Sequence, residues 1–312
     1  MTTITKWNGK PITKPGWYSG ISIDLYHSGG ICDGPAVSSS NLRTCWLKSP
    51  AHMFAQWCEN PEAEPRKETR AMTLGSAAHH MLLGEDGFKL KYIAQPPTYR
   101  DKVTAADKPW HNGAGYCKAW NETQREQGRT VVTHDELKTI VRMSASLALE
   151  PLVDDGLLRG NVECSGFVKD EQTGLWLKIR PDVIPQTTAD YVDLKTASDV
   201  TTPALQYSIR SYGYHQQGAL IWEVCEQLGL PFDMFVLMFI ETAAPYCARA
   251  VPLTEDDLAR GRLQNRAMLK KIAECQQTKH WPGPGEGDLR ALSLSTDERN
   301  RIDERLKYEG AS

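Results

Sequence analysis

Residues 1–38 are rich in Gly, Pro and aromatics with few periodic positions, which predicts an irregular leader ordered by packing on the rest of the chain. Helical periodicity begins at Ser38: a helix-start cluster precedes Leu42, Trp46, Ala51, Phe54 and Ala55 across residues 38–60. Met72, Leu74, Ala78, Met81 and Leu82 predict a second, largely buried helix over about 70–83. Gly75, Ala77 and Ala78 allow it to pack closely, and His79 and His80 sit in its middle. A polar stretch of helical character continues to about residue 150.

The period then shortens to two. Residues 161–170 (NVECSGFVKD), a turn at Asp170–Gly174 and residues 175–184 (LWLKIRPDVI) predict a β-hairpin, and residues 189–197 (ADYVDLKTA) a third strand, as an antiparallel start to a sheet. Residues 202–228 predict one or two helices ended by Gly229 and Pro231; residues 232–241 (FDMFVLMFIE) form a continuous apolar run suited to a buried strand. Thr254 with Asp257 opens an amphipathic helix carrying Leu258, Leu263, Ala267 and Ile272. A breaker-rich segment, 281–288, precedes a charged terminal helix. Helices, then strands, then helices and strands again predict an α/β (α+β) fold with a central mixed sheet flanked by helices. Three parts are expected: the leader 1–38, a core 39–254 and a C-terminal helical segment 255–312.

Composition narrows the classes. With 312 residues, 40% hydrophobic and 24% charged, the chain is long and apolar enough for one large or two modest globular domains, which excludes disordered and fibrous proteins. No window holds 18 uninterrupted apolar residues and no apolar region follows the charges of residues 1–10, so neither a membrane span nor secretion is predicted. The eight cysteines are scattered singly without a C-x-x-C pair and are expected as reduced thiols in the cytoplasm. A net charge of −3 gives no global attraction to nucleic acid, so any such binding must come from local patches, screened beyond roughly 8–10 Å.

The chemistry is expected where strands gather carboxylates. Asp193 and Lys195 are two apart on a predicted strand, so they leave one face while Leu194 turns into the core. Asp182 follows Arg180 and Pro181 eleven residues earlier, within reach of Asp193. Two nearby carboxylates repel, and a hard divalent cation, usually magnesium, relieves that repulsion. Alone, D-x-K is a weak motif whose commoner meaning is one solvated ion pair. The hairpin, the Pro-Asp pair and the apolar Tyr191, Val192 and Leu194 shift the reading toward a site, because charges within a buried strand need a reason.

The pattern Pro181-Asp182 followed by Asp193-Leu194-Lys195 resembles the PD-(D/E)xK nuclease signature, whose fold is the restriction-endonuclease-like core. Gly75-Ser76-Ala77-Ala78-His79 is similar to the G-x-x-x-H helix motif of RecB-type and RecE-type members. Ser49-Pro50-Ala51-His52, Glu163 on its hairpin strand, Thr173-Gly174 in the turn and Tyr214-His215-Gln216-Gln217 bring the chain nearest to the RecE (exonuclease VIII) branch of phages and prophages, over about residues 35–250. Ile221 departs from that branch, standing where its Q-x-x-x-Y motif has Tyr.

The resemblance implies a metal-dependent exonuclease that degrades one strand of duplex DNA from its 5′ end. It also implies magnesium (or manganese) as cofactor, a RecT-like annealing partner, a homo-oligomer, and a bacterial or phage-infected cytoplasm. His79, Asp182 and Asp193 would be metal ligands and Lys195 the water-positioning base. Sequence alone leaves His79 and His80 open, with the motif register favouring His79. Glu163 would assist the metals or hold a nearby cation, unless it is an ordinary strand-edge acid. Tyr214 and Gln217 would contact DNA or support the site, or else form one polar stripe of a helix. Arg180 is a candidate phosphate or carboxylate partner, or an exposed strand residue. Basic clusters at Arg66, Lys67 and Arg70 and at Arg260, Arg262 and Arg266 are more commonly solvated helix faces than a DNA track.

Other readings are an endonuclease of the same class and a DNA-binding protein without catalysis, against which the intact Asp182, Asp193 and Lys195 argue. A CRISPR-adaptation nuclease usually carries a cysteine-bound iron–sulfur cluster, which the dispersed cysteines do not provide. A zinc hydrolase would need an H-E-x-x-H helix, and none is present.

Overall fold

In the computed structural model, residues 3–63, 70–83, 88–186, 188–287 and 291–310 are described; Arg66 and Lys67 of the first basic cluster lie outside them. The leader is not irregular. It forms β1 (Ile4–Lys6), β2 (Gly16–Ser19), α1 (Ile23–His27) and β3 (Ala36–Ser38). These strands are too short to show a period; β2 and β3 are held by pairing with strands more than a hundred residues away, and β1 pairs with β2 at the sheet edge. Next come α2 (Ser39–Leu47), α3 (Pro50–Phe54), α4 (Arg70–Leu82) and α5 (Phe88–Lys91). Ser49 breaks the first helical run in two: its hydroxyl caps α3 by accepting from the His52 N–H, with Pro50 at the first turn.

The polar stretch that follows is only partly helical. Short strands β4 (Tyr92–Ala94), β5 (Thr98–Arg100), β6 (Asp107–Pro109) and β7 (Thr130–Val132) accompany α6 (Gly115–Glu126), α7 (His134–Leu147) and α8 (Pro151–Asp154). The predicted hairpin appears as β8 (Gly160–Val162) and β9 (Ser165–Lys169), then β10 (Trp176–Ile179) and β11 (Val183–Pro185). The remaining elements are β12 (Asp190–Ala197), α9 (Thr202–Tyr212), α10 (Tyr214–Gln227), β13 (Met234–Glu241), β14 (Ala248–Pro252), α11 (Glu255–Thr278) and α12 (Thr296–Tyr308).

Two five-stranded sheets result, in the orders β1-β2-β9-β10-β3 and β14-β13-β12-β11-β8. The hairpin is shared between them. Its pairs Val183↔Val162 and Ile179↔Gly166 share one register, and the two strands pass from one sheet to the other at Glu163–Cys164 and Arg180–Asp182, where the pairing is interrupted. Pro181, without an N–H to donate, sits at that crossing.

The second sheet is mixed: β12 runs antiparallel to β11 but parallel to β13, so the antiparallel start does not continue. Both its faces are covered. Tyr191, Phe235, Leu237 and Phe239 pack with Leu42, Leu220, Val224, Leu258 and Leu269 on one side. Val192, Leu194, Val236, Met238 and Ile240 pack with Ala77, Ala78, Ile140 and Met143 on the other. Double-sided burial explains the unbroken apolar run of β13. Helix α11 supplies Leu258, Leu269 and Ile272 to the first of these cores and is therefore part of the central body rather than an appended segment. Among the described residues, no helix is long and apolar enough to cross a membrane.

Candidate active site

The site lies where β11 and β12 separate. Their printed register is the single pair Val183↔Val192, and one further step along an antiparallel ladder sets Asp182 opposite Asp193. Directly opposed residues of such a ladder project to the same face. Glu163 is the next position beyond Val183↔Val162 but lies in the bend between β8 and β9, outside any strand. Glu163 adopts φ +56°, a left-handed conformation uncommon for a residue with a Cβ, and its side chain is exposed. The strand expected through it is broken there.

Asp193 is 3% exposed. The Gln217 amide donates to its Oδ1 at 2.6 Å, and the Lys195 ammonium closes on its Oδ2 as an ion pair. Asp193 Oδ2 accepts no hydrogen bond of ordinary geometry. Asp182 Oδ2 accepts the Leu194 N–H at 2.6 Å and lies 3.6 Å from His79 Nδ1. Helix α4 passes β12 at Gly75, where a Cβ would stand 3.8 Å from Thr196 Oγ1, an ordinary van der Waals contact, and His79 follows one turn later. His80 is turned elsewhere, contacting Lys91 Nζ at 2.9 Å and Tyr92 at 5.4 Å between rings, so His79 is the histidine of the site.

From the other side, α10 presents Tyr214 and Gln217 one turn apart. The Tyr214 ring lies 5.2 Å from Lys195 Nζ and stacks on Tyr212, whose side is more than half exposed. Gly213, at φ +64°, is the left-handed hinge between α9 and α10 that permits this turn. Helix α11 fixes α10 in place through buried amides: Gln216 donates to Asn265 at 3.2 Å, and Asn265 donates back to the Gln216 carbonyl at 2.8 Å. Tyr214 and Gln217, expected among the substrate contacts, here support Lys195 and Asp193.

The contacts place the remaining candidates. Arg180 is neither an exposed strand residue nor turned to the site; its Nη1 donates to the Ile21 carbonyl at 2.8 Å and the Ser165 hydroxyl at 3.0 Å, tying the leader to the hairpin. Arg262 pairs with Glu223 and Glu226, and Arg266 with Asp170 and Glu223, so these two brace α11, while Arg260 pairs with Asp256 and Asp257 on the exposed face of its own helix, in keeping with the commoner meaning of such a run. Among the described residues, no group of three or more His, Cys, Asp or Glu side chains is gathered as a metal-holding cluster. The three expected ligands instead belong to two adjoining pairs, His79 with Asp182 and Asp193 with Lys195, because each carboxylate is neutralised by its nearest cationic side chain.

Arg43 of α2 escaped the sequence reading. Its guanidinium donates to the Tyr212 and Ser39 carbonyls at 2.9 and 3.2 Å and stands 6.0 Å from the Tyr214 ring centre, adding a second cation behind Asp193. The only sequence signal is a charge beside the buried Leu42.

Electrostatically the two aspartates diverge. Burial raises the Asp193 carboxyl above the ordinary range and Asp182 adds to the rise, while Lys195 opposes it. Burial pushes Asp182 the same way, but His79, Lys195 and the Leu194 N–H outweigh it and hold Asp182 low. Burial disfavours charge on His79 and on Lys195, yet the neighbouring carboxylates raise both. The donor set suits a hard dication: one buried and one half-buried carboxylate, the buried one retaining an oxygen without an ordinary hydrogen bond, and no soft ligand among them.

Comparison with known proteins agrees with this geometry. No curated protein matches the chain. Among solved structures it is similar to a protein from Eubacterium rectale described as a candidate exonuclease, with TM-score 0.59 and 13% identity over 88% of this chain and 96% of that one. At that identity the likeness is one of fold. A family model for a PDDEXK-like domain of unknown function (DUF3799) matches residues 38–289, running from β3 through α11 and so taking in every residue of the site. The chain therefore belongs to this PDDEXK-like family and has the fold of the PD-(D/E)xK nucleases.

Proposed function

We propose that this protein is a divalent-metal-dependent deoxyribonuclease that digests one strand of duplex DNA from its 5′ end. The observation that carries the reading is the opposition of Asp182 and Asp193 at the end of one ladder, with Lys195 on the second carboxylate. Asp182 and Asp193 would hold a magnesium ion, or manganese in its place, which when bound polarises a phosphodiester and acidifies a water. Gln217 fixes the rotamer of Asp193, and Tyr214 limits where the Lys195 ammonium can go. That ammonium is poised to orient an attacking water and to offset charge that grows on the phosphate. His79 restrains Asp182 from the α4 side, and Glu163 stands exposed in the bend between β8 and β9.

Exonuclease action is supported by the RecE-like motifs and by the description of the structural neighbour; 5′ polarity and 3′-tailed products are supported by the motifs alone. The same motifs support a homo-oligomer, a RecT-like annealing partner and work in a bacterial or phage-infected cytoplasm. The test uses linear duplexes labelled at either end beside a closed circle, with magnesium or chelator. Magnesium-dependent shortening of the strand from its 5′ terminus, with the circle intact, is expected. Equal digestion of the circle would make the protein an endonuclease, and no digestion at all would make it a binding protein.

A further inference from the structure

A second polar cavity, of about 520 Å³, opens at the far end of α4 from His79. It falls in the usual size range of ligand sites, but its lining is unlike an apolar pocket. Arg70, Arg125 and Arg129 contribute guanidiniums; Asn112, Asn121 and Gln95 contribute amides; three threonines and Val131 complete it. Among the described residues that line it there is no Asp or Glu. Such a wall offers nothing to an apolar molecule and no carboxylate to a cation, while it is rich in donors for an anion.

The three arginines differ in availability. Arg70 is committed to Glu136 and to the Val131 carbonyl. Among the described residues, the ionic partner of Arg125 is the exposed Glu122 of its own helix at 3.3 Å, the kind of pair that solvent largely screens. Arg129 makes a single long hydrogen bond to Gln124 at 3.4 Å and has no acidic partner among the described residues. Two loosely held guanidiniums thus face one space.

We infer that this cavity is a subsite for the phosphodiester backbone of the DNA strand, gripping it through Arg129 and Arg125 away from the cleavage point. The inference rests on the nuclease reading above. Arg70 and His79 are nine residues apart on α4, about 13 Å at the helical rise per residue. Successive phosphates of one strand of duplex DNA advance about 3.4 Å along the axis, so the subsite lies roughly four nucleotides from the scissile phosphate. A strand held at both ends of α4 is fixed in register as well as in affinity.

The experiment measures binding of a fluorescein-labelled 20-base-pair duplex by anisotropy over a salt series in chelator, for the wild type, Arg129→Ala, Arg125→Ala/Arg129→Ala and Arg129→Lys, with magnesium-dependent cleavage of the same duplex assayed in parallel. Each lost phosphate contact should lower the slope of log affinity against log salt by about 0.9. Arg129→Ala is expected to bind about tenfold more weakly with that fall in slope. The double variant should lose about twice as much, and Arg129→Lys should keep the slope. Melting temperatures should stay near wild type, since a merely structural role would not move the slope. If the wild type cleaves while the alanine variants bind with unchanged affinity and slope, the subsite is overturned and the nuclease reading stands. If the wild type fails to cleave yet binds with an arginine-dependent slope, the nuclease reading fails and the subsite survives as a DNA contact. Absence of both binding and cleavage overturns both.

Discussion

Gln217 is the side chain through which α10 grips the acidic pair, since it donates to Asp193 while Tyr214, one turn earlier, lies against Lys195. Removing a partner from a buried carboxylate costs about 1–3 kcal/mol, so Gln217→Ala should lower stability by that order and loosen Asp193. Its cleavage rate should fall at least about tenfold, a loss of about 1.4 kcal/mol in transition-state stabilisation. Tyr214→Phe keeps the ring beside the ammonium and should remain near wild type, whereas Tyr214→Ala should not; steady-state cleavage with paired thermal melts separates the two effects. At this scale Asp193 and Lys195 were legible because their spacing on one strand dictates a common face, and Asp182 because it follows Pro181 a short connection earlier. Arg180 was not, because its partner Ile21 is 159 positions away and no local pattern announces it. Arg43 was hidden for the same reason: its company is Tyr212 and Tyr214, far along the chain.

Among the elements, α4 and α7 are clamped by one carboxylate. Glu136 closes the capping box of α7 by accepting the Thr133 N–H at 2.7 Å and also pairs with Arg70 at the start of α4. Burial pushes the Glu136 carboxyl up, but Arg70 and the Thr133 N–H together bring it below the ordinary glutamate value. A depressed folded value contributes stability that is present above the unfolded value, about 4.3, and is lost as pH falls through the folded one. Glu136→Gln should therefore melt below wild type at neutral pH, with the gap closing in acid; a gap independent of pH would mean that the clamp is not electrostatic.

The long periodic elements, β12, β13, α4 and α11, could be read from sequence because eight or more residues repeat one pattern. The leader strands of three or four residues could not, and the crossing of the hairpin between two sheets is set by tertiary packing rather than by its alternation.

At the scale of the molecule, the boundary expected at residue 254 falls inside the folded body, since α11 fills the same core as α10 and the family match continues to residue 289. Helix α12 has no buried residues. A chain ending before Thr296 should thus fold and melt within a few degrees of the full chain, as surface changes cost about 0.5 kcal/mol or less. One ending at 254 should fail to fold, because Leu258, Leu269 and Ile272 leave the core. Circular dichroism melts of the two truncations distinguish these outcomes. The central claim is that Asp182, Asp193 and Lys195 form one cleavage site, and its most direct measurement is the rate of magnesium-dependent duplex hydrolysis by Asp182→Asn, Asp193→Asn and Lys195→Ala, each checked for native melting. All three are predicted to lose at least about a hundredfold in rate. Hydrolysis at the wild-type rate by any one of the folded variants would contradict the account.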